Sequence, residues 1–187
     1  EVLKGAGTAL YGSDAVAAVI NVESMKKPSK EKETIVKAMG GSNGYVSGSV
    51  EMSDTIDEKS AYRTSVGYMH SDGWRDHTKT NRVEANIRYD HILDDMNDIK
   101  VVFNTSMTDA EQADSFNIYS NIESGSVLAS DDPGYFTTMS TTDISRNFDY
   151  ARLSLEWNNY SYDNLEISLT PYARYNRNQY VATWANG

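Results

Sequence analysis

The sequence has no cysteine, which excludes a disulfide scaffold and a thiolate zinc ribbon. It does not exclude an oxidising compartment. Proline is scarce, with 3 residues, and no long apolar run exists. The longest, Ala15–Ile20, falls far short of the roughly 18–20 residues of a transmembrane helix, so a helical membrane protein is excluded. Positive charge is in deficit as well. Seventeen Lys and Arg face 27 Asp and Glu, for a net charge of −10 and a pI near 4.7. Nucleic acid is a poor partner for such a chain, because phosphate neutralisation needs clustered cations. What is abundant is tyrosine, 13 of 187 residues, beside many Asn, Ser, Thr and Asp. That is the composition of long polar strands with aromatic ends.

From Lys32 onward the chain alternates apolar and polar residues with period two, the mark of strands with unlike faces. In Arg82–His91, Val83, Ala85, Ile87 and Tyr89 oppose Arg82, Glu84, Asn86, Arg88 and Asp90. In Tyr150–Asn158, Leu153, Leu155 and Trp157 oppose Arg152, Ser154 and Glu156. The pattern predicts seven strands: Glu33–Gly41, Tyr45–Thr55, Ser60–Ser71, Thr80–Ile92, Asp98–Asp109, Tyr150–Tyr160 and Leu165–Tyr180. Most exceed the ~5–6 residues usual in soluble sheets and match the ~9–11 of a tilted, bilayer-crossing strand. Pro171, on the apolar face of the last strand, lacks a ladder N–H and predicts a bulge or local irregularity.

The connections alternate too. Thr55–Lys59, Leu93–Asn97 and Ser161–Asn164 are short and polar. Of the others, Ser42–Gly44 is short, Asp72–Lys79 is longer, and Ala110–Asp149 runs to about 40 residues, a length that marks a functional or disordered loop. Short turns on one side and longer loops on the other is the layout of an outer-membrane barrel. Aromatics near the strand ends, among them Tyr62, Tyr68, Tyr89, Tyr150, Trp157, Tyr160 and Tyr175, suit interfacial girdles. The charges of Arg82, Glu84, Arg88, Arg152, Glu156 and Arg174 suit a wet lumen. A soluble β-sheet adhesion or binding module alternates as well, with its apolar face inward.

Known chemistries fit poorly. Gly7-x4-Gly12 has the opening spacing of a P-loop, but Ser13-Asp14 stands where Lys-Ser/Thr is required. His70, His77 and His91 lack metal-ligand spacing. Asp94, Asp95 and Asp98, and likewise Asp131 and Asp132, could hold Ca²⁺ weakly, but a solvated turn explains them more simply. Serines abound, yet none pairs with a base. The expectation is no enzyme, no cofactor and no metal.

The N-terminal segment Glu1–Pro28 is different. Small residues dominate, a short apolar strand Val19–Val22 follows, and Lys26-Lys27-Pro28-Ser29-Lys30 reads as a basic linker. The run E-V-L-K-G-A-G-T-A-L-Y-G-S-D-A-V-A-A-V-I-N, residues 1–21, resembles the end of the plug domain of TonB-dependent outer-membrane receptors, in which this stretch leads into the first barrel strand. Lys4, Gly5, Gly7, Leu10, Tyr11, Gly12, Ala15 and Asn21 carry the resemblance. Ala18 stands where Gly is common and Ala6 where Pro is frequent. Lys4 keeps the charge of an Arg but not its bidentate fork.

The resemblance implies residues 1–30 as the C-terminal end of a plug and residues 31–187 as the N-terminal, antiparallel strands of a transmembrane β-barrel. Further strands would lie beyond Gly187. It implies active import of a scarce ligand, a ferric siderophore first and haem or cobalamin next, across the outer membrane of a Gram-negative bacterium. TonB, with its inner-membrane energising complex, would pull on a plug segment preceding Glu1. Other partners are membrane lipid and a small-molecule metal chelate. Loop residues Trp74, Arg75 and His77, with Phe116, Tyr119, Tyr135, Phe136 and Arg146, are the candidates for ligand contact, aromatics for flat area and cations for acidic groups. An outer-membrane enzyme barrel is a further alternative; such barrels lack plugs.

Overall fold

The structure, a computed structural model, describes residues 2–4, 18–20, 25–74, 77–112, 142–162 and 165–184. All regular elements among them are strands. No helix there is long and apolar enough to cross a membrane, a statement that does not bear on β-barrels.

Two short strands, β1 (Val2–Lys4) and β2 (Ala18–Ile20), pair antiparallel, with Lys4 opposite Ala18. Of the expected strand Val19–Val22, β2 covers Val19 and Ile20, and Val22 lies outside the described residues. Gly5, Gly7, Leu10, Tyr11, Gly12, Ala15 and Asn21 lie outside the described residues.

The remaining strands form one antiparallel sheet. They are β3 (Glu33–Gly40), β4 (Val46–Thr55), β5 (Ser60–Ser71), β6 (Thr80–Asp94), β7 (Asn97–Glu111), β8 (Thr142–Tyr162), β9 (Leu165–Leu169) and β10 (Tyr172–Trp184). Neighbours in sequence are neighbours in space from β3 to β8, and β9 and β10 both pair with β8. All seven expected strands are found. The short connections 56–59, 95–96 and 163–164 share one end of this meander, and 41–45, 72–79 and 112–141 share the other.

Most boundaries shift by a few residues, and two differences are larger. Strand β8 begins at Thr142 rather than Tyr150, which shortens the long loop. Its first residues put Ile144 and Phe148 on the parity of Arg152, the face that is polar in the rest of the strand, so the alternation is out of phase there. The backbone ladder needs no side-chain pattern, and β7 and β10 flank this tip on both sides. At Pro171 the irregularity is real but is no bulge. Trp157↔Leu169 and Tyr172↔Ser154 keep one register across it. Leu155 N–H still donates to Pro171 O at 3.0 Å. Only the reciprocal N–H is missing, so one long strand reads as two.

The β3–β4 connection is short because Asn43-Gly44 makes a tight turn. Both have positive φ, 56° and 64°, and Tyr45 N–H reaches Ser42 O at 3.2 Å. Gly41 N–H donates to Tyr45 O at 2.9 Å, so three residues, Ser42, Asn43 and Gly44, close the hairpin.

The sheet is inverted relative to one that packs a hydrophobic core. Met25 and Ile144 are the only buried apolar side chains among the described residues. The buried polar ones are Ser53, Ser60, Arg63, Arg88 and Asn158. Val36, Val50, Val66, Val83, Ile87 and Leu153, all on one face, are exposed.

That apolar face is a diagonal band. The row Asp54–Tyr62–Tyr89–Val101–Leu155 is polar only at β4. One row nearer the short turns, Ser60 and His91 are polar while Ile99, Trp157 and Leu169 are apolar. In the next row Asn97 and Asn159 are polar and Ile167 is apolar. At the opposite edge, Tyr68, Val83 and Met107 give way to Asp149 and Arg177. The band thus descends towards the short turns from β4 to β9. Of the expected girdle aromatics, Tyr62, Tyr68, Tyr89, Trp157 and Tyr175 share the parity of this face. Tyr150 and Tyr160 instead share the parity of the polar face, two residues apart from Arg152 and Asn158 respectively.

Candidate functional site: the charged face of the sheet

The polar face concentrates its burial in one register row. Ser53 on β4, Arg63 on β5 and Arg88 on β6 are direct partners across the ladder. Ser53 is 1% exposed, Arg63 6% and Arg88 4%. All three bind the backbone of the linker. Arg88 Nη1 donates to Met25 O at 3.1 Å, Arg63 Nε donates to Lys27 O at 3.1 Å, and Ser29 N–H donates to Ser53 Oγ at 2.7 Å. The segment Met25–Ser29 is thus laid across three strands and held by its main chain. Its lysine side chains stay exposed at Lys26 and Lys27.

Two arginines directly opposite would repel. Each is neutralised locally. Arg63 forks to Glu33 at 3.0 Å and to Glu51. Arg88 binds both oxygens of Asp90, at 2.8 and 2.9 Å. Bidentate pairs of this kind are the stronger ion pairs, and here they leave guanidinium N–H groups for the linker carbonyls. Further along the face, Lys100 meets Glu156 at 2.5 Å, and Asn158 donates to Asp98 at 3.0 Å. These groups line a recess of about 540 Å³ on the short-turn side.

A second region lies on the same face towards the longer loops. Asn104 donates to Asn86 at 2.8 Å, and Asn86 donates to Ser65 at 3.2 Å. The same row continues through Arg152 on β8 to Arg174 on β10. Arg82, Glu84, Asn86, Asn104, Tyr150 and Arg152 border a recess of about 280 Å³. Arg152 lies over the Tyr172 ring at 5.3 Å and Arg146 over Phe148 at 4.8 Å.

The candidate loop residues scatter. Trp74 is 63% exposed in the β5–β6 connection, and His77 in the same connection has φ 59°. Arg75, Phe116, Tyr119, Tyr135 and Phe136 lie outside the described residues. Arg146, expected in the long loop, stands instead within β8, opposite Ala110 and Tyr180. Sequence reasoning missed Ser53 altogether. It placed Arg88 on the polar face but did not foresee the linker beneath it.

Of the aspartates expected in turns, Asp94 caps one, Asp98 stands instead in β7, and Asp131 and Asp132 lie outside the described residues; Asp57 caps another turn. Asp57 accepts Lys59 N–H at 2.8 Å, and Asp94 accepts Asn97 Nδ2 at 2.8 Å and Met96 N–H at 2.9 Å. The Lys59 amide, aided by Ser60, holds the Asp57 carboxyl below its usual value. Asn97, then Met96, do the same for Asp94. No three His, Asp or Glu side chains among the described residues cluster to hold a metal ion. Ser60 Oγ and His91 Nδ1 lie 2.8 Å apart, with Tyr89 OH 3.3 Å from Ser60 Oγ. A comparison with protein-family models finds no match for this chain, and a comparison with curated proteins finds none either.

Proposed function

We propose that the chain is part of a TonB-dependent outer-membrane importer, with residues 31–187 forming strands of a transmembrane β-barrel and residues 1–30 the end of its plug. The observation that carries this reading is the descending apolar band. It steps about one residue per strand, or ~3.3 Å along a strand for ~4.8 Å across the ladder. A level lipid layer crossing the sheet at that slope implies strands tilted by about 35–40°, within the range of outer-membrane barrels. A soluble sheet covered by a partner has no reason to keep that slope. The inversion of burial supports the same reading: apolar side chains face outward and paired charges inward. The N-terminal motif supplies the family, and the linker laid across β4–β6 fits a plug that enters from the polar side.

On this reading the protein does no covalent chemistry. It captures a scarce small molecule, a ferric siderophore before haem or cobalamin, and TonB is its energising partner. Uptake of radiolabelled ferric complexes by cells carrying the full-length protein tests this. Uptake should require TonB and the proton gradient. A full-length product that partitions into the aqueous phase without detergent sinks the proposal.

A further inference from the structure

Among the described residues a single asparagine precedes a glycine, Asn43-Gly44, at the tip of the β3–β4 connection. Both are exposed and both hold positive φ, 56° and 64°. Asparagine tolerates that backbone region and glycine adopts it freely. Neither the Gly44 N–H nor the Asn43 side chain has a hydrogen-bond partner among the described residues. An asparagine amide carbon is an electrophile, and the next backbone nitrogen is the nucleophile within its reach. Glycine leaves that nitrogen unscreened, because it has no Cβ. Within the sheet the same reaction is obstructed. Asn86 and Asn104 stand in β6 and β7, precede residues with side chains, and bond each other, Asn104 Nδ2 donating to Asn86 Oδ1 at 2.8 Å.

What the tip holds gives the reaction a consequence. Asp72, at the start of the β5–β6 connection, donates its N–H to Asn43 O at 2.9 Å. Its carboxylate lies against Gly44, on the side where a Cβ would stand, and its Oδ1 is 3.3 Å from His70 Nε2 on β5. A backbone carbonyl thus ties the hairpin to the connection that carries Trp74 and His77.

We propose that Asn43 is a deamidation site whose isoaspartate product frees the β5–β6 connection from the β3–β4 hairpin. The Gly44 nitrogen gives up its proton to solvent base and attacks Asn43 Cγ. The Cγ–Nδ2 bond breaks, ammonia leaves, and a succinimide ring closes. Water then opens the ring at either carbonyl. Opening at the former main-chain carbonyl leaves the chain running through Cβ and Cγ, one methylene longer. The oxygen that accepts the Asp72 N–H then belongs to a free carboxylate beside that of Asp72, where like charges repel. The test ages the full-length protein in detergent micelles in mildly alkaline buffer. Mass spectrometry of its peptides should show a gain of about 1 Da at Asn43, and isoaspartyl methyltransferase should label the same peptide. Conversion at Asn86 and Asn104 should be slower by about tenfold or more, because those residues must first leave the ladder. Exchange of the Asp72 amide should quicken by about fivefold in the isoaspartate fraction, the factor that one hydrogen bond of ordinary net strength carries. Asn43→Gln, whose ring closure is slow, should show neither change on ageing. A folded Asn43 that stays intact while the urea-denatured chain converts, equal conversion at Asn86 and Asn104, or isoaspartate that leaves Asp72 exchange unchanged overturns the site.

Discussion

Replacing Arg63 with lysine separates the two tasks of its guanidinium. Lysine keeps a positive charge for Glu33 and Glu51. It cannot also present Nε to the Lys27 carbonyl, because a single ammonium lacks the planar fork that spans three acceptors. A hydrogen bond from a charged donor contributes about 1.5–3 kcal/mol, and a buried carbonyl left without a partner costs about the same order. The expected loss therefore falls on local seating of the linker, at roughly 2 kcal/mol, rather than on the sheet. Glu33 is 42% exposed, so solvent screens whatever weakening its ion pair suffers. Ser29 N–H reports the seating directly, since it donates to buried Ser53 Oγ. Its hydrogen exchange in the full-length protein should quicken by about 30-fold if opening is governed by that free energy, at ~1.4 kcal/mol per tenfold. Amides in the middle of β5 and β6 should change little. Arg82→Lys, on the same face but 48% exposed and paired among the described residues only to Glu84, is the control and should leave Ser29 alone. Ser29 exchange that is unchanged in Arg63→Lys would refute the idea that Arg63 anchors the linker.

Three other outcomes follow from the same geometry. Val66→Arg puts a charge on the exposed apolar face in the middle of β5 and should cost about 2–4 kcal/mol of folding into lipid vesicles, while Ser49→Arg on the polar face should be tolerated; equal folded yields by SDS-resistant mobility would count against a lipid-facing band. Gly44→Ala should destabilise by at least ~1 kcal/mol, because φ is +64° and the new Cβ would overlap the Asp72 carboxylate; a thermal midpoint unchanged in the variant contradicts this. The Asp57 carboxyl titrates below its usual 3.8 in the folded hairpin, so its contribution is present above that value and is lost as pH falls through the lowered one; Lys59 amide exchange, corrected for its intrinsic pH dependence, should accelerate only in that acid window, and Asp57→Asn should flatten the response.

Period-two alternation was enough to find every long strand, because each strand between Glu33 and Trp184 keeps unlike faces over most of its length. It failed at 142–149, where Ser145, Asn147 and Asp149 on one face oppose Ile144, Arg146 and Phe148 on the other. The apolar residues there fall on the face that is polar further along β8, so the pattern changes phase, yet the ladder to β7 and β10 continues. Alternation also says nothing of which face is covered. Val50 and Ser53 are equally compatible with facing in or out, and only the three-dimensional burial distinguishes them. The turn aspartates were legible, since Asp followed two residues later by a free N–H is a local pattern. The linker cradle was not legible, because its partners are main-chain carbonyls and an N–H, and every linker sequence has those.

That last point bears on why the cradle is built as it is. Ser53, Arg63 and Arg88 come from three successive strands but occupy one register row, so a one-residue slip of β5 would turn Arg63 to the apolar face and break the row. Register of the sheet and seating of the linker therefore support each other. The charges are balanced within the sheet by Glu33, Glu51 and Asp90, so the linker need bring no acid of its own, and it brings none between Met25 and Lys30. Its exposed lysines at 26 and 27 contribute no side-chain hydrogen bond to that row. Substituting both with glutamine should leave Ser29 exchange as it is, whereas Lys27→Pro, which places a ring beside the carbonyl that Arg63 binds and restricts the residue before it, should not. If the glutamine pair alone released the segment, seating would depend on linker charge, and the main-chain account of the cradle would be wrong.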